Sequence, residues 1–170
     1  EIRLELRGAF PHQQDFLDCP KRYAIAASGT KAGKSACGAM YAVRELANRP
    51  GCRGWWVAPS FDQSVTVGLE AVRSLLPRDP AIFHLKKTAP PEIRLVPTGS
   101  VLSFKSGDTP DGPYGPGGDF AVLDEAGRLS EEAFVAVRST LTFTGGPMRL
   151  LTNPTPRTGF KTAGKLVTDA

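Results

Sequence analysis

Short apolar runs, separated by segments of helical periodicity, dominate the chain. Residues 36–48 have helical spacing, and so do residues 60–76, which Pro77 ends. Four apolar runs have the length of buried strands, at residues 23–27, 54–58, 119–126 and 148–151. Because strands that alternate with helices are typical of a parallel sheet covered by helices, the pattern predicts an α/β fold.

Two further helices are indicated by their first residues. A short helix is expected after Pro11, with Phe16 and Leu17 facing inward, and His12 is assigned to the turn before it. Ser130 is placed to cap a helix whose first residues are acidic, which suits the dipole of the helix.

The middle of the chain is less regular. Residues 93–96 and 101–104 flank a turn that contains glycine, so they predict a β-hairpin. Residues 80–91 carry mixed signals and predict no element. The density of Gly, Pro and Asp in residues 106–118 predicts a mobile surface loop.

Size and composition favour one folded unit. The chain has 170 residues, 41% of them hydrophobic, so residues 1–170 are expected to form a single domain with a buried core. No apolar run approaches the roughly 20 residues that cross a bilayer, and no leader opens the chain, which predicts a soluble protein that is not exported. Without an initiator Met, the chain is expected to be processed or cut from something longer. The 3 cysteines lack metal-ligand or paired spacing and are expected to be reduced thiols.

Charge adds little to this picture. A net charge of +4 permits an anionic partner such as nucleic acid, but Lys and Arg are scattered, so a solvated basic surface explains them equally well. Trp55 and Trp56 could stack on bases. Inside an apolar strand, however, they are expected to belong to the core.

The turn after the first strand carries the main chemical motif, Ser-Gly-Thr-Lys-Ala-Gly-Lys-Ser over residues 28–35. A strand-to-helix turn of this kind aims backbone N–H groups and the positive end of a helix dipole at one point, which suits a triphosphate. Lys34 would then reach the β- and γ-phosphates, and Ser35 would ligate Mg²⁺. The strict motif has Gly where this chain has Ser28, so an ordinary turn is the alternative.

Two carboxylates, Asp124 and Glu125, end the third apolar run. In P-loop enzymes the first carboxylate supports Mg²⁺ from the tip of the strand beside the P-loop, and the second orients and polarises the attacking water. Acidic residues are also common at the ends of strands without any such role. The P-loop upstream favours the chemical interpretation.

Polar amides and a hydroxyl complete the set of candidate residues. Gln13 offers the donor and the acceptor that the adenine edge requires, although it could be a surface glutamine. Thr152 and Asn153 follow the last strand, where they could sense a γ-phosphate or form a turn. With Gln13, the predicted ATP-binding residues are Ser28, Gly29, Thr30, Lys31, Ala32, Gly33, Lys34, Ser35 and Ala36.

In this order the motifs resemble the ATPase domain of the large terminase subunit of tailed bacteriophages, the motor that packages DNA into procapsids. The resemblance covers most of the chain and implies a P-loop NTPase fold of the additional-strand (ASCE) type, with three αβα layers around a mostly parallel central sheet. It is carried by the P-loop and by Pro11-His12-Gln13 with Phe16-Leu17, and by residues 57–61, 122–126, 137–141 and 151–156.

The resemblance also implies roles for the central residues. Lys34 and Ser35 would hold the phosphates and Mg²⁺, Asp124 would support Mg²⁺, and Glu125 would activate water. Lys34 is thus included with Glu125 among the expected catalytic residues.

The implied activity is Mg²⁺-dependent ATP hydrolysis that powers the movement of double-stranded DNA into a viral procapsid. In that activity Gln13 would read adenine, while Thr152 and Asn153 would couple hydrolysis to movement. The implied partners are double-stranded DNA, the portal protein, the small terminase subunit and further copies of the chain in a ring, although the chain could be a monomer in isolation. The implied location is the host cytoplasm at the procapsid, with no membrane.

The chain departs from the family in the positions that usually supply a charge-neutralising arginine finger. Many members carry an arginine inside the P-loop, where this chain has Thr30-Lys31, and others have Arg-Gly where this chain has Tyr114-Gly115. The candidates are Lys31 from the same subunit, and Arg128 or Arg138 from the same or a neighbouring subunit.

Large terminase subunits usually continue into an RNase H-like nuclease domain, for which this chain has no room, so no nuclease activity is expected. A helicase-like or other P-loop ATPase that remodels nucleic acid is one alternative function. A nucleotide-binding assembly module without enzymatic activity is the other, because the first P-loop glycine and the finger arginine are missing.

Overall fold

The computed structural model describes residues 8–108 and 117–154. Within them, the first half contains α1 (Pro11–Leu17), β1 (Tyr23–Ala27), α2 (Lys34–Asn48), β2 (Arg53–Ala58), α3 (Phe61–Gln63), a π-helical stretch (Ser64–Leu69) and α4 (Glu70–Leu75). The second half contains β3 (Phe83–Lys86), β4 (Glu92–Leu95), β5 (Ser100–Ser106), β6 (Phe120–Leu123), a 3₁₀ turn (Ala126–Arg128), α5 (Glu131–Thr140) and β7 (Met148–Thr152).

A seven-stranded sheet with the order β1-β7-β6-β2-β5-β4-β3 forms the centre of the fold. Five neighbouring strands are parallel, namely β1, β7, β6, β2 and β5. β4 and β3 are added antiparallel at the β5 edge. The predicted mostly parallel α/β architecture is therefore confirmed. β7 lies between β1 and β6, as the additional-strand type implies, so one strand separates the acidic strand from the strand that leads into the P-loop.

Both faces of the sheet are covered by apolar side chains. On the face that α1, α2 and α4 cover, Tyr41, Trp56 and Phe104 belong to one buried cluster. On the face that α5 covers, Trp55 and Leu150 belong to a second cluster. Trp55 and Trp56 are 5% and 0% exposed, so both are core residues, as the apolar context of their strand predicts.

Most of the predicted helices are present, with two corrections. Ser130 caps α5 as expected, since its Oγ accepts a hydrogen bond from the backbone N–H of Ala133 at 3.1 Å. His12 lies inside α1 and not in the turn before it. The long helix expected over residues 60–76 is interrupted by the π-helical stretch, in which Gly68 packs so closely on Trp56 that a Cβ would lie 2.2 Å from the indole nitrogen.

At the antiparallel edge of the sheet, the sequence predicted one element correctly and missed another. β4 and β5 form the predicted hairpin, whereas β3, in the stretch 80–91, was not predicted. This strand has four residues and lies at the edge, so only alternate side chains, those of Phe83 and Leu85, are partly covered. Most of the predicted loop 106–118, including Tyr114-Gly115, lies outside the described residues. Over the described ranges, no helix is both long and apolar enough to cross a membrane.

The packing of β2 on β6 yields a test of this architecture. Gly54 pairs with Phe120, and a Cβ on Gly54 would lie 2.2 Å from the ring, which is fully buried. Gly54→Ala is expected to lower the free energy of unfolding by about 1–3 kcal/mol, because the ring cannot move without disturbing the core. Urea denaturation measures this, with Gly8→Ala as the control, since nothing lies within 4 Å of that position. Equal stability of the two variants would contradict the described packing.

Candidate functional site

The loop between β1 and α2 ends at the N-terminus of α2, whose N-cap residue has no capping side chain. This residue is Gly33, with φ of 79°, and among the described residues no side-chain cap hydrogen bond is present there. The backbone N–H of Ser28 donates to the carbonyl of Thr152 at 3.2 Å, which ties the start of the loop to the end of β7. The N–H groups at the start of α2 and the positive end of its dipole therefore remain directed at the loop.

The conformation of the loop explains why serine can replace the first glycine of the motif. Neither Ser28 nor Gly29 has a positive φ, so neither position requires glycine. The left-handed positions are Gly33 and Lys31, the latter with φ of 65°. Lys31 itself is exposed.

Lys34 is held by three acceptors. Its Nζ donates to the carbonyls of Ser28 at 2.8 Å and Gly29 at 2.7 Å, and to Oδ1 of Asn153 at 2.8 Å. The ammonium group thus lies inside the turn, between the loop and the end of β7. A charged donor in this position suits a phosphate, which is a stronger acceptor than a neutral carbonyl.

Asp124 follows β6 and is only 4% exposed. The hydroxyl of Ser35 lies 3.3 and 3.2 Å from its two carboxylate oxygens, and the N–H of Glu125 donates to Oδ1 at 3.1 Å. Burial raises the pKa of Asp124 to about 6, and the charge of Glu125 adds to this, against the opposing effect of the Ser35 hydrogen bond. The site therefore contains a carboxylate that is costly to keep charged without a cation.

Glu125 has a left-handed backbone conformation, with φ of 50° and ψ of 42°. Of the described residues that are not glycine, only Lys31 and Glu125 have a positive φ, and both belong to the predicted site. The carboxylate of Glu125 accepts hydrogen bonds from Nδ2 of Asn153 at 3.2 and 3.3 Å. Non-glycine residues in this region cluster at functional sites.

Thr152 and Asn153 connect the two halves of the site. The Thr152 hydroxyl accepts a hydrogen bond from the N–H of Gly127 at 3.1 Å, which fixes the turn that follows Glu125. The amide of Asn153 contacts Lys34 through its oxygen and Glu125 through its nitrogen. These residues therefore do more than end a strand, since their side chains join the P-loop to the acidic turn.

Gln13 reaches the P-loop from α1. Its side chain is 6% exposed, so the alternative of a surface glutamine is wrong. Its Oε1 accepts a hydrogen bond from the N–H of Phe10 at 3.0 Å, and its Nε2 donates to the carbonyl of Gly33 at 3.4 Å. The amide is thus placed at the side of the loop.

A cleft of about 270 Å³ lies at the carboxyl ends of the parallel strands. Of the two arginines predicted as finger candidates, Arg128 lines this cleft and Arg138 does not. Both are exposed, and Arg138 lies on α5. Two larger hollows, of about 550 and 590 Å³, contain none of the predicted catalytic or metal-binding residues, so size alone would select the wrong place. The residues that line the cleft are Ser35, Ala58, Gln63, Val67, Asp124, Glu125, Gly127, Arg128, Thr152 and Asn153.

Gln63 and Val67 were not predicted as site residues. Both belong to the helical segment after β2, which the sequence indicated only as a helix. The signal that could have identified Gln63 is its position shortly after the carboxyl end of a parallel strand, where ligands bind in open α/β sheets.

The donor groups of the cleft fit Mg²⁺. In the described part of the chain, no three or more His, Cys, Asp or Glu side chains are grouped to hold a metal ion. Mg²⁺ does not need such a group, because it keeps several waters and binds through one or two protein oxygens together with substrate phosphates. The Asp124 carboxylate and the Ser35 hydroxyl, 3.2 Å apart at their closest, are hard oxygens of the kind that it prefers.

The fold and the site together define a P-loop NTPase, with an additional strand between the P-loop strand and the acidic strand. No protein-family model matches the chain. The large terminase subunit of Thermus virus P23-45 is 30% identical over 88% of this chain and 35% of its own length. The chain thus spans about a third of the length of this relative.

Solved structures extend the comparison. The large terminase ATPase domain of Thermus phage P74-26 matches with a TM-score of 0.74 and 25% identity, over 91% of this chain and 68% of that domain. The large terminase of a thermophilic bacteriophage, solved in complex with ATP-gamma-S, shares the fold, with a TM-score of 0.67 and 15% identity over 85% of this chain and 38% of that one. In sequence and fold the chain resembles the ATPase domain of phage large terminase subunits, which confirms the resemblance carried by its motifs.

The contact between Thr152 and Gly127 can be tested by its effect on stability. Thr152→Val keeps the shape of the side chain but leaves the buried N–H of Gly127 without its acceptor, so the free energy of unfolding should fall by about 1–3 kcal/mol. Thr152→Ser keeps the hydroxyl and is the control, expected to lose less. Chemical denaturation measures both variants. A valine variant at least as stable as the serine variant would contradict the assigned hydrogen bond.

Proposed function

We propose that this chain binds and hydrolyses ATP with Mg²⁺ and that it is the ATPase part of a motor that moves double-stranded DNA. The observation that supports it best is that Ser35, Asp124 and Glu125 line one cleft. Asn153 lines the same cleft and contacts both Lys34 and Glu125. These residues come from three separate parts of the chain. The arrangement supplies a cation for phosphate, oxygens for a metal ion and a carboxylate for water.

Phosphate binding is assigned to the P-loop. The uncapped N–H groups of α2 face residues 28–33, and Lys34 would exchange its carbonyl acceptors for phosphate oxygens, which bear more charge. Ser35 and Asp124 would hold Mg²⁺, which supplies charge neutralisation at the phosphates when it is bound. Gln13, which borders Gly33, is assigned to adenine recognition. The complex of the thermophilic phage terminase with ATP-gamma-S supports nucleotide binding by this fold.

Glu125 is assigned to the attacking water. Its carboxylate would accept a proton from water as the water oxygen bonds to the γ-phosphorus. The bond from that phosphorus to the bridging oxygen breaks, and ADP leaves with that oxygen. In the structure Asn153 donates to this carboxylate, so the amide sets the direction of its lone pairs. Lys31 and Arg128 are the cations proposed to neutralise charge at the phosphates, and Arg138 would have to act from a neighbouring subunit.

Coupling to movement is assigned to Thr152 and Asn153. Asn153 Oδ1 accepts a hydrogen bond from Lys34, and a phosphate would compete for the same ammonium group. Loss of that contact would free one end of an amide whose other end holds Glu125. The presence of phosphate can therefore change the position of β7 and of the turn after β6 together.

The biological setting follows from the relatives. We propose that the motor acts in the host cytoplasm, docked on a viral procapsid through the portal protein, with the small terminase subunit and further copies of the chain in a ring as partners. The named relatives, large terminase subunits of phages, support this setting. The proposal treats residues 1–170 as one ATPase domain and assigns no nuclease activity to them.

Lys34→Ala tests the phosphate-binding assignment. Removal of the ammonium group should weaken ATP binding by roughly 10- to 100-fold, since a hydrogen bond to a charged group contributes about 1.5–3 kcal/mol. Titration with a fluorescent ATP analogue in Mg²⁺ measures the affinity. The control is Lys21→Ala, which removes one exposed positive charge near the start of β1. If both variants bind ATP as tightly as the unchanged chain, the assignment is wrong.

Glu125→Gln tests hydrolysis separately from binding. The amide cannot accept a proton, so turnover should fall by at least about 100-fold while ATP affinity stays the same. Phosphate release, measured with and without double-stranded DNA, gives the rate. The control is Glu132→Gln, an exposed residue in the first turn of α5. Hydrolysis by Glu125→Gln at the rate of the unchanged chain would refute the catalytic role.

A further inference from the structure

Gln63 lies in the cleft but has no assigned role. It is the last residue of α3, five positions after the end of β2, and its backbone N–H donates to the capping hydroxyl of Ser60 at 3.3 Å. The π-helical stretch begins at the next residue, Ser64, which is fully buried. Gln63 is therefore attached to a segment that is fixed on both sides, and such segments are suited to hold a side chain in one place.

The amide oxygen of Gln63 is buried and has no hydrogen-bond partner among the described residues. A buried acceptor without a partner is costly, so each one in a folded protein calls for an explanation, such as a catalytic role. Trp56 Nε1 and Arg149 Nε share this condition, but neither residue lines the cleft. Gln63 alone of these three lies with Asp124 and Glu125.

The chemistry of the cleft limits what can satisfy this oxygen. The carboxylates of Asp124 and Glu125 are acceptors when they are ionised, and so are phosphate oxygens, so none of them can donate to it. The Ser35 hydroxyl is directed at Asp124. Two donor side chains also line the cleft, but Asn153 donates to Glu125 and Arg128 is exposed, and Gln63 Oε1 has a hydrogen bond with neither. The donor that the reaction itself brings to the cleft is water. An amide suits this position, because its oxygen accepts from the water while its nitrogen can donate to a phosphate oxygen.

We propose that Gln63 positions the attacking water in ATP hydrolysis. Its Oε1 accepts one hydrogen bond from the water, and the carboxylate of Glu125 accepts the other and takes the proton. The water oxygen bonds to the γ-phosphorus, the bond to the bridging oxygen breaks, and ADP leaves. Gln63 gains and loses no proton, because an amide does not titrate. This inference rests on the proposed function and adds a residue to it. Glutamine has this task in other P-loop enzymes that hydrolyse nucleotides.

The test compares Gln63→Met, which keeps the approximate volume of the side chain without the acceptor, with Gln63→Ala. Both should lower kcat for ATP by about 100-fold, since misplacement of the nucleophile by about 1 Å costs that much, while KM stays the same. The matched control is Gln14→Ala, a glutamine exposed on α1 whose amide contacts Asp18. This variant should keep the kcat of the unchanged chain.

A second measurement separates the proposed role from a structural one. ADP with aluminium fluoride mimics the phosphoryl group under attack by water, so its affinity should fall in Gln63→Met, whereas the affinity for ADP alone should not change. Loss of ADP binding or of folding in both variants would show that Gln63 is structural, which overturns the inference. A Gln63→Met variant with normal kcat, beside an inactive Glu125→Gln, would overturn the inference and leave the proposed function intact. A wild-type chain that binds ATP but never hydrolyses it, even with double-stranded DNA, would overturn both.

Discussion

The position of β7 between β1 and β6 is the constraint on which the site depends. Its parallel pairing with both neighbours brings the end of the P-loop strand, the end of the acidic strand and residues 152–153 to the same edge of the sheet. The backbone of Ser28 is bonded to the carbonyl of Thr152, and the hydroxyl of the same threonine holds Gly127. One residue of β7 thus fixes the two turns that carry the chemistry, so their separation cannot change unless β7 moves.

The contacts of Asn153 depend on this position of β7. This residue lies just beyond β7, and its amide has an acceptor end and a donor end, which are used in opposite directions on Lys34 and Glu125. A phosphate that draws Lys34 away would remove one of these contacts, and a ligand changes a conformation only through such a difference in contacts between two states. Lys34, Asn153 and Glu125 are therefore joined in one series of hydrogen bonds, so a change at Lys34 would also affect the orientation of the carboxylate.

Local patterns predicted much of the fold and most of the polar residues that the structure brings together at the cleft. The strand Tyr23–Ala27, the capped helix after Ser130 and the hairpin around residues 97–100 were predicted because each depends on residues adjacent in sequence. The edge strand Phe83–Lys86 was missed because it buries only alternate side chains at the end of a sheet, where the apolar signal is weak. The place of β7 between β1 and β6, and the unpartnered oxygen of Gln63, arise from contacts between distant segments. Periodicity along the chain has no information about such contacts.

The departures from the expected P-loop are understood through backbone conformation. Ser28 replaces glycine at a position that needs no left-handed conformation, whereas Lys31 occupies one that does. Glu125, which lines the cleft, is the other non-glycine residue with a positive φ in the described part of the chain, and each such residue costs roughly 1–2 kcal/mol. Around Glu125 the cost is offset by hydrogen bonds from Asn153 and to Asp124. Lys31 is exposed. The left-handed conformation of Glu125 is therefore supported by hydrogen bonds within the protein, whereas the exposed Lys31 would be accessible to a ligand of the loop.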